Sequence, residues 1–278
     1  MAHKTNALKT DKSFIYFTLP IVILMAVTSS IGIFYQGIYS RETIDWFSQT
    51  IGQDFSNLFV TVPALILSAF FASKGNRVGK IIWTGVMITN VYAFVIYSFA
   101  LHFNFLFHVY CAILGLSIYS VIYFFIKNLT VDFKSWFTDR VPVKAVGIFL
   151  IVIAALFTLL WLSQSLPAAL INQAPESITK DGLLTNPVHA LDLSFYLPLI
   201  FISAIMLLKK KSLGYLLAPM MIVFAVMTNI NIILLLIASM VIMVSNTWPT
   251  IIVFVVFTMV CFLFMWQMFR HLRKVEED

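Results

Sequence analysis

Charged residues are scarce in this chain, and that scarcity limits what kind of protein it can be. Only 11% of the 278 residues are charged, whereas 61% are hydrophobic and the mean hydropathy is +0.96. A soluble domain usually carries about 25% charged residues. No polar stretch exceeds roughly 25 residues, which is too short to build a separate core. The composition therefore predicts an integral membrane protein in contact with the lipid bilayer.

Cysteine and catalytic motifs are also nearly absent. The two cysteines, Cys111 and Cys261, lie inside apolar segments and form no disulfide framework. The sequence has no GxSxG, no phosphate-binding glycine loop, no Cys-x-x-Cys and no paired glutamates of the EExxxR type. These absences favour a protein that is not an enzyme, although they leave the question open. The net charge of +6 lies in short clusters beside apolar segments, which does not fit a nucleic-acid surface.

Long apolar runs dominate what is present. Eight of them are long enough to span about 30 Å of hydrocarbon. The predicted spans are 14–35, 54–73, 81–101, 105–126, 145–170, 188–208, 213–243 and 250–269. The prediction is an all-α polytopic transmembrane bundle that forms a single domain over 1–278. Its halves, 1–126 and 145–278, would be joined by segment 127–144.

The basic residues predict the orientation of these spans. With both termini in the cytoplasm, sixteen lysines and arginines fall inside, and only Arg41 and Lys180 fall outside. Such a bias fixes orientation in membrane proteins. A miscounted central span would scramble it, so the split supports eight spans in a cell membrane. Because apolarity continues through the first run, a retained first helix is favoured over a cleaved signal peptide.

Two connections carry interfacial patterns. The inner one recurs at helical spacing through Leu129, Phe133, Trp136 and Phe137, which suits a helix on the membrane surface or, alternatively, a membrane-hugging loop. The outer segment 36–53, with Trp46, Phe47 and Ile51, is predicted to form a short lid over the outer face, ended by Gly52 before the second span.

An ungapped alignment of 63–79 with 198–214 suggests an internal repeat. It pairs Pro63 with Pro198 and Gly79 with Gly214 within the shared pattern P-x4-S-A-x4-K-x4-G. Both copies would cross the membrane in the same direction, as expected for two four-helix halves in parallel orientation. Because apolar segments align readily by chance, duplication and coincidence both remain open.

Polar residues gather near the outer ends of the spans. The candidate ligand-binding residues are Asp54, Asn57, His102, Asn104, His108, His189, Asp192 and Tyr196. Asp54, Asn57 and Thr61 follow i, i+3, i+7, and so do His189, Asp192 and Tyr196, which places each set on one helix face. Charge near lipid is costly, so these faces are expected to line an outward-facing polar pocket. The alternative is that the carboxylates cap helix N-termini.

Four of these residues could also hold a metal ion. Imidazole with carboxylate suits zinc or copper, and the candidate ligands are His102, His108, His189 and Asp192. No HExxH or close His-x-His pair fixes a geometry, because the ligands come from separate segments. The metal prediction thus depends on how the helices fold together.

Two sequence blocks resemble a known group of proteins. LHFNFLFHVY at 101–110 and TNPVHALDLSFYLP at 185–198, followed by KKKSLGYLLAP, are similar to segments of an uncharacterised family of small prokaryotic polytopic membrane proteins. The resemblance covers most of the chain. It implies the many-helix fold and a prokaryotic membrane, and it implies no activity.

Three functions are compatible with the sequence. The favoured one is a protein that binds or transports a small polar solute or cation in the outer pocket. The second is a metal-dependent membrane enzyme acting on a lipid or small molecule. The third is a non-catalytic subunit or scaffold that contacts another membrane protein or a second copy of itself.

Overall fold

The computed structural model describes residues 10–273 and shows an all-helical protein. Within that range, eight helices are long and apolar enough to cross a membrane. They are α1 Ser13–Phe34, α2 Ile44–Ser73, α3 Arg77–Phe99, α4 Phe107–Lys127, α5 Val143–Leu170, α6 Pro187–Leu208, α7 Ser212–Met243 and α8 Trp248–Phe269. The predicted number of spans is confirmed, and seven of the eight begin within four residues of the predicted positions.

The exception is α2, which begins ten residues earlier than expected. It runs from Ile44 through Gly52 without a break, so the prediction that Gly52 ends a separate lid before the second span is wrong. A Cβ atom on Gly52 would lie 2.5 Å from the Leu235 Cα atom, so the glycine admits the backbone of α7 instead. Polar residues in the first part of α2, such as Ser48, pack against α7. The Ser48 and Ser239 hydroxyl oxygens are 2.8 Å apart.

The connection 127–144 is also not a surface helix. Its only helical part within the described chain is the single 3₁₀ turn Phe133–Trp136. Phe133, Trp136 and Phe137 are buried against the bundle, whereas Leu129 is exposed. The loop alternative is therefore the correct one, and the helical spacing arose from residues that pack inward from an irregular chain.

The helix connections lie at two ends of the bundle. The end that carries most of the lysines and arginines of the described residues is called the basic end. At the basic end, the chain before α1 contacts the end of α2, since the Asp11 amide donates to the Ser73 carbonyl at 2.8 Å. There, too, the Arg273 amide donates to Trp136 at 2.8 Å. At the opposite end, Lys180 pairs with Asp45 at 2.6 Å. Both ends of the described chain thus lie at the basic end.

Helices α3 and α7 pack against each other at the centre of the bundle. Gly85 of α3 allows the contact, because a Cβ atom there would lie 2.7 Å from the side chain of Val223. Continuous runs around these positions are buried. The outer helices instead expose large apolar side chains, such as Leu67 on α2 and Leu156 on α5, which is the pattern of helices that contact lipid.

Helices α2 and α6 share an unusual local structure. Each contains one π-helical turn, at Asn57–Thr61 and at Asp192–Tyr196, 135 residues apart counting from 57 to 192. A proline, Pro63 or Pro198, lies two residues after the last residue of each π turn. A proline has no N–H for the ordinary helical bond and crowds the carbonyl four residues before it, so a widened turn relieves the clash.

The turns that follow these helices also correspond at the same spacing. Gly75 and Lys210 both have positive φ, 83° and 53°. Gly79 and Gly214 each sit against the preceding helix, where a Cβ atom would lie 2.6 Å from the Ala72 backbone nitrogen or 2.4 Å from that of Leu207. Helices α3 and α7 then start at 77 and 212, again 135 residues apart.

Candidate functional site

Asp54 is a carboxylate enclosed within a membrane-spanning segment. It lies ten residues into α2 and is 1% exposed. The Tyr39 hydroxyl donates to its Oδ2 atom at 2.8 Å, and the Tyr97 hydroxyl donates to its Oδ1 atom at 2.7 Å. Both donors are neutral, so no positive side chain accompanies this carboxylate among residues 10–273.

Helix α1 approaches Asp54 closely at Gly32. A Cβ atom on Gly32 would lie 1.9 Å from Asp54 Oδ2 and 2.8 Å from the Tyr39 hydroxyl oxygen. Any side chain at this position would therefore push the carboxylate away from its donor. Burial, followed by the neighbouring Tyr97 hydroxyl and Asp54 carboxylate, raises the pKa of Tyr39 well above its ordinary value, so Tyr39 stays a hydrogen-bond donor.

Further polar atoms near this level have no partner. The Tyr110 ring packs against Tyr97 at 5.1 Å between centroids, and its buried hydroxyl makes no hydrogen bond in the described structure. The Asn57 side-chain oxygen accepts from Gln53 at 2.9 Å, whereas its buried Nδ2 atom makes no hydrogen bond there, and neither does the Thr61 hydroxyl. Buried polar groups are normally paired, so these three atoms depart from the usual pattern.

Asp192 occupies the comparable part of α6. The Trp161 indole N–H donates to its Oδ2 atom at 2.7 Å, and the Tyr92 hydroxyl faces the same carboxylate. The His189 ring packs against Trp161 in a tilted arrangement, with 4.5 Å between ring centroids and an interplanar angle of 34°. Tyr196 packs against Tyr92 at 4.9 Å. Unlike Asp54, Asp192 is only partly buried.

Helix α3 connects the two carboxylates. Tyr97 binds Asp54, and Tyr92 faces Asp192. These tyrosines are five residues apart, which corresponds to roughly 7.5 Å along a helix. Because Tyr92 lies farther than Tyr97 from the end of the bundle opposite the basic end, Asp192 lies deeper in the bundle than Asp54.

Helix capping does not explain either carboxylate. The Thr43 hydroxyl caps α2 by accepting from the Trp46 amide at 3.3 Å. The Asn186 side chain caps α6 by accepting from the His189 amide at 3.0 Å. The capping alternative for Asp54 and Asp192 is therefore wrong, because both residues lie beyond the first turn, where amides are already bonded.

The candidate polar residues in the turn between α3 and α4, and His108 in the first turn of α4, are exposed or partly exposed. His102 is exposed, and its Nδ1 atom is 3.0 Å from the Glu42 carboxylate. The Asn104 side chain accepts from the Leu106 amide at 3.0 Å, which closes the turn into α4. His108 is exposed beside the Phe107 ring. These three residues stabilise or flank a turn and do not touch Asp54 or Asp192 through any described hydrogen bond.

The four proposed metal ligands do not come together. In residues 10–273, no group of three or more His, Cys, Asp or Glu side chains is placed to hold a metal ion. His102 instead pairs with Glu42, and His108 faces outward. Only His189 and Asp192 are neighbours, through Trp161.

Two cavities open at the opposite end. The larger, about 430 Å³, lies between α3 and α6, is mostly apolar, and includes only His102 of the candidate residues. The smaller, about 60 Å³, lies among α2, α3, α6 and α7, with Gln53 and Tyr97 in its wall. Neither is lined by Asp54 or Asp192.

No protein-family model, no curated protein and no solved structure matches the chain. The site must therefore be interpreted from its own geometry.

Sequence reasoning missed the aromatic partners of the carboxylates. Tyr39, Tyr92, Tyr97 and Trp161 supply or face the contacts, yet each lies on a different element from the carboxylate it serves. A tyrosine or tryptophan inside a span is ordinarily interpreted as a residue that packs between helices. The one available signal was that buried hydroxyls and indole nitrogens need partners, and unpaired carboxylates on neighbouring spans could supply them.

Asp181 is a partly buried carboxylate outside the spans. The Gln49 amide donates to Asp181 at 3.2 Å, beside the Lys180–Asp45 ion pair. Burial, and then the nearby negative charge of Asp45, raises the pKa of Asp181 to about 6. This contact fastens the short helix Glu176–Asp181 to the start of α2.

Proposed function

We propose that the protein is a multi-pass carrier of the cell membrane that binds a small cation or polar solute at the two carboxylates Asp54 and Asp192. The observation that carries the proposal is that both carboxylates lie within spans and have only neutral donors as partners in the described chain. An uncompensated charge there is costly and marks a functional site in membrane proteins. A positively charged ligand, or a proton, would offset it.

The distribution of basic residues supports an orientation for this carrier. Of the lysines and arginines in the described residues, thirteen lie at the basic end and two, Arg41 and Lys180, at the opposite end. The positive-inside bias then assigns the basic end to the cytoplasm and the carboxylates to the outer part of the bundle. Both termini are cytoplasmic in this proposal.

A parallel 4+4 repeat completes the proposed architecture. It is supported by the shared spacing of 135 residues for the π turns, the positive-φ turn residues and the close glycines. At this spacing Asp54 corresponds to His189 and Asn57 corresponds to Asp192. The polar faces would then be equivalent positions of two halves, which transporters place around their binding sites.

Charge movement in proteoliposomes tests the proposed carrier. The probes are concentration jumps of Na⁺, K⁺, choline and H⁺ on a supported membrane. We expect a transient current with at least one of them, and loss of that current in Asp54→Asn and Asp192→Asn. Asp139→Asn is the matched control, since Asp139 is an exposed carboxylate at the basic end. No current with any probe, or currents in both variants equal to that of the wild type, would contradict the proposal.

A further inference from the structure

Three cationic residues meet beside one indole ring at the basic end. The Arg77 guanidinium carbon and the Lys80 Nζ atom lie 5.8 Å and 5.9 Å from the centroid of the Trp136 ring. Arg273 joins them from the chain after α8, since the Arg77 Nη1 atom donates to its carbonyl at 3.1 Å. The Arg77 and Arg273 side chains are near enough for their charges to repel. Arg77, Lys80 and Arg273 are called the cationic cluster.

The cationic cluster lies where the dipole of α3 opposes it. Arg77 and Lys80 belong to the first four residues of α3 and are spaced i, i+3, so they are neighbours on one helix face. A helix N-terminus carries partial positive charge and favours anionic groups. Like charges at this spacing also repel each other. The arrangement is therefore unfavourable by itself, and a bound anion would offset it.

No carboxylate pairs with the cationic cluster in the part of the chain that the structure describes. None of its three members takes part in an ion pair there. Asp11 acts on Lys80 only from a longer distance, and it pairs with Lys127 at 2.7 Å. The Trp136 ring is neutral, and its attraction for cations at these distances is weak. The positive charge of the cluster is thus left largely uncompensated.

Membrane orientation alone does not require this arrangement. Basic residues that only orient a chain can remain fully solvated, as Lys209 is, whereas Arg77 and Lys80 are half-buried. At the spacing of 135 residues that separates the starts of α3 and α7, Arg77 corresponds to Ser212 and Lys80 to Tyr215. The first turn of α7 therefore forms without cations, so the cationic cluster is not needed to build such a turn.

The two guanidinium groups are held in place and still have donors to offer. Arg77 uses one N–H group on the Arg273 carbonyl, and the Arg273 Nε atom donates to the Phe137 carbonyl at 3.0 Å. Arg273 is exposed and the other two members are partly exposed, so an anion can reach them from water. Two planar forks beside an ammonium group match the several oxygens of a phosphate better than the two of a carboxylate.

We propose that Arg77, Lys80 and Arg273 bind a phosphate group at the basic end of the bundle. The phosphate belongs to a free phosphorylated compound or to a phospholipid headgroup, which share this chemistry. The guanidinium groups donate to its oxygens, and the Lys80 ammonium supplies a third positive charge. The site is separate from Asp54 and Asp192, so it does not depend on the proposed carrier function.

Calorimetric titration of the purified full chain in a neutral detergent tests this site at constant ionic strength. The two probes are inorganic phosphate and short-chain dihexanoylphosphatidylglycerol. We expect saturable binding of at least one probe, weakened at least about tenfold in Arg77→Gln and in Lys80→Gln, because each variant loses a charged donor. Lys209→Gln is the matched control: it removes one exposed charge from the same end and should stay within about twofold of the wild type.

The Lys80 variant keeps the test decisive if Arg77→Gln does not fold. The Lys80 ammonium forms no ion pair in the described chain, so its replacement breaks none. No saturable binding of either probe to the wild type would overturn the proposal. Unchanged affinity in Lys80→Gln would do so too, and so would equal weakening in Lys80→Gln and Lys209→Gln, because net charge alone would then explain the binding.

The two probes identify the source of the phosphate group. Binding of inorganic phosphate supports a site for a free phosphorylated compound, whereas binding of the lipid alone supports a headgroup site.

The chain's own last carboxylates are the rival anion. Glu276, Glu277 and Asp278 lie outside the described residues and follow Arg273 closely in sequence. Their joint replacement by Gln, Gln and Asn should leave the affinity for the probe within about twofold of the wild type. Binding that appears only in this triple variant would assign the cationic cluster to these carboxylates and overturn the proposal.

Discussion

At the residue scale, the two carboxylates show how a neutral hydrogen bond can stand in for an ion pair inside a membrane. Tyr39 and Tyr97 satisfy one oxygen of Asp54 each. Hydrogen bonds to a charged acceptor are worth about 1.5–3 kcal/mol, which offsets only part of the cost of removing a carboxylate from water. In the proposed carrier, the uncompensated part of this cost would favour neutralisation of Asp54 by a cation or a proton.

Asp181 gives the stability of the protein a pH dependence that can be measured. Its pKa is about 6 in the folded chain against 3.8 for the free residue. Folding therefore favours the protonated form of Asp181. The stability that this bound proton contributes is fully present below pH 4 and is lost as the pH rises through 6. Asp181→Asn should raise the unfolding temperature at pH 7.5 by roughly 2 °C and have little effect at pH 4, since partial exposure limits the effect to about 1 kcal/mol.

Thermal unfolding of Asp181→Asn in detergent at the two pH values checks this expectation, with Asp139→Asn as a control at the basic end. Equal shifts at both pH values would show that Asp181 does not titrate between them.

The side chains that contact the two carboxylates were the part of the site that the sequence predicted least well. The level and face of Asp54, Asn57, His189 and Asp192 follow from counting along a helix. Gly32 could not be recognised, because its role depends on α1 approaching α2 at that turn. His102 and His108 were grouped with the carboxylates by depth alone, and depth does not tell which way a side chain points.

At the element scale, the start of α2 shows why the beginning of this helix was mispredicted from composition, whereas the spacing of its polar residues would have indicated it. Residues such as Ser48 and Gln53 made segment 36–53 look like a polar connection. In the structure they belong to a helix whose polar face packs on α7 and on the short helix Glu176–Asp181. All the other spans were predicted from apolar length because both their ends meet polar turns.

Gly79 and Gly214 should respond alike to the same substitution. A Cβ atom at either position would lie within 2.6 Å of a backbone nitrogen of the preceding helix, which cannot move aside as a side chain could. We expect Gly79→Ala and Gly214→Ala each to destabilise the protein by about 1–3 kcal/mol. Their similarity would support the equivalence of the two turns.

Unfolding temperatures of the two variants provide the measurement. Gly115→Ala is the control, because nothing lies within 4 Å of a Cβ atom there and alanine favours a helix. A large loss in one variant with none in the other would count against equivalent turns.

At the scale of the whole molecule, the two ends of the bundle make the orientation testable. In a Cys111→Ser background, which removes the exposed cysteine, Asp139→Cys places a thiol at the basic end and Glu176→Cys places one at the opposite end. A membrane-impermeant maleimide applied to intact cells should label Glu176→Cys alone. Labelling of Asp139→Cys instead would invert the proposed topology, and permeabilised cells serve as the positive control for both.

The even number of spans on each side of the inner connection has a consequence for how such a chain arises. The link between α4 and α5 lies at the basic end, together with both ends of the described chain. A polypeptide that stopped after α4 would therefore enter the membrane in the same orientation as one that began at α5. Under the proposed 4+4 repeat, duplication and fusion of a four-span gene would yield this topology directly.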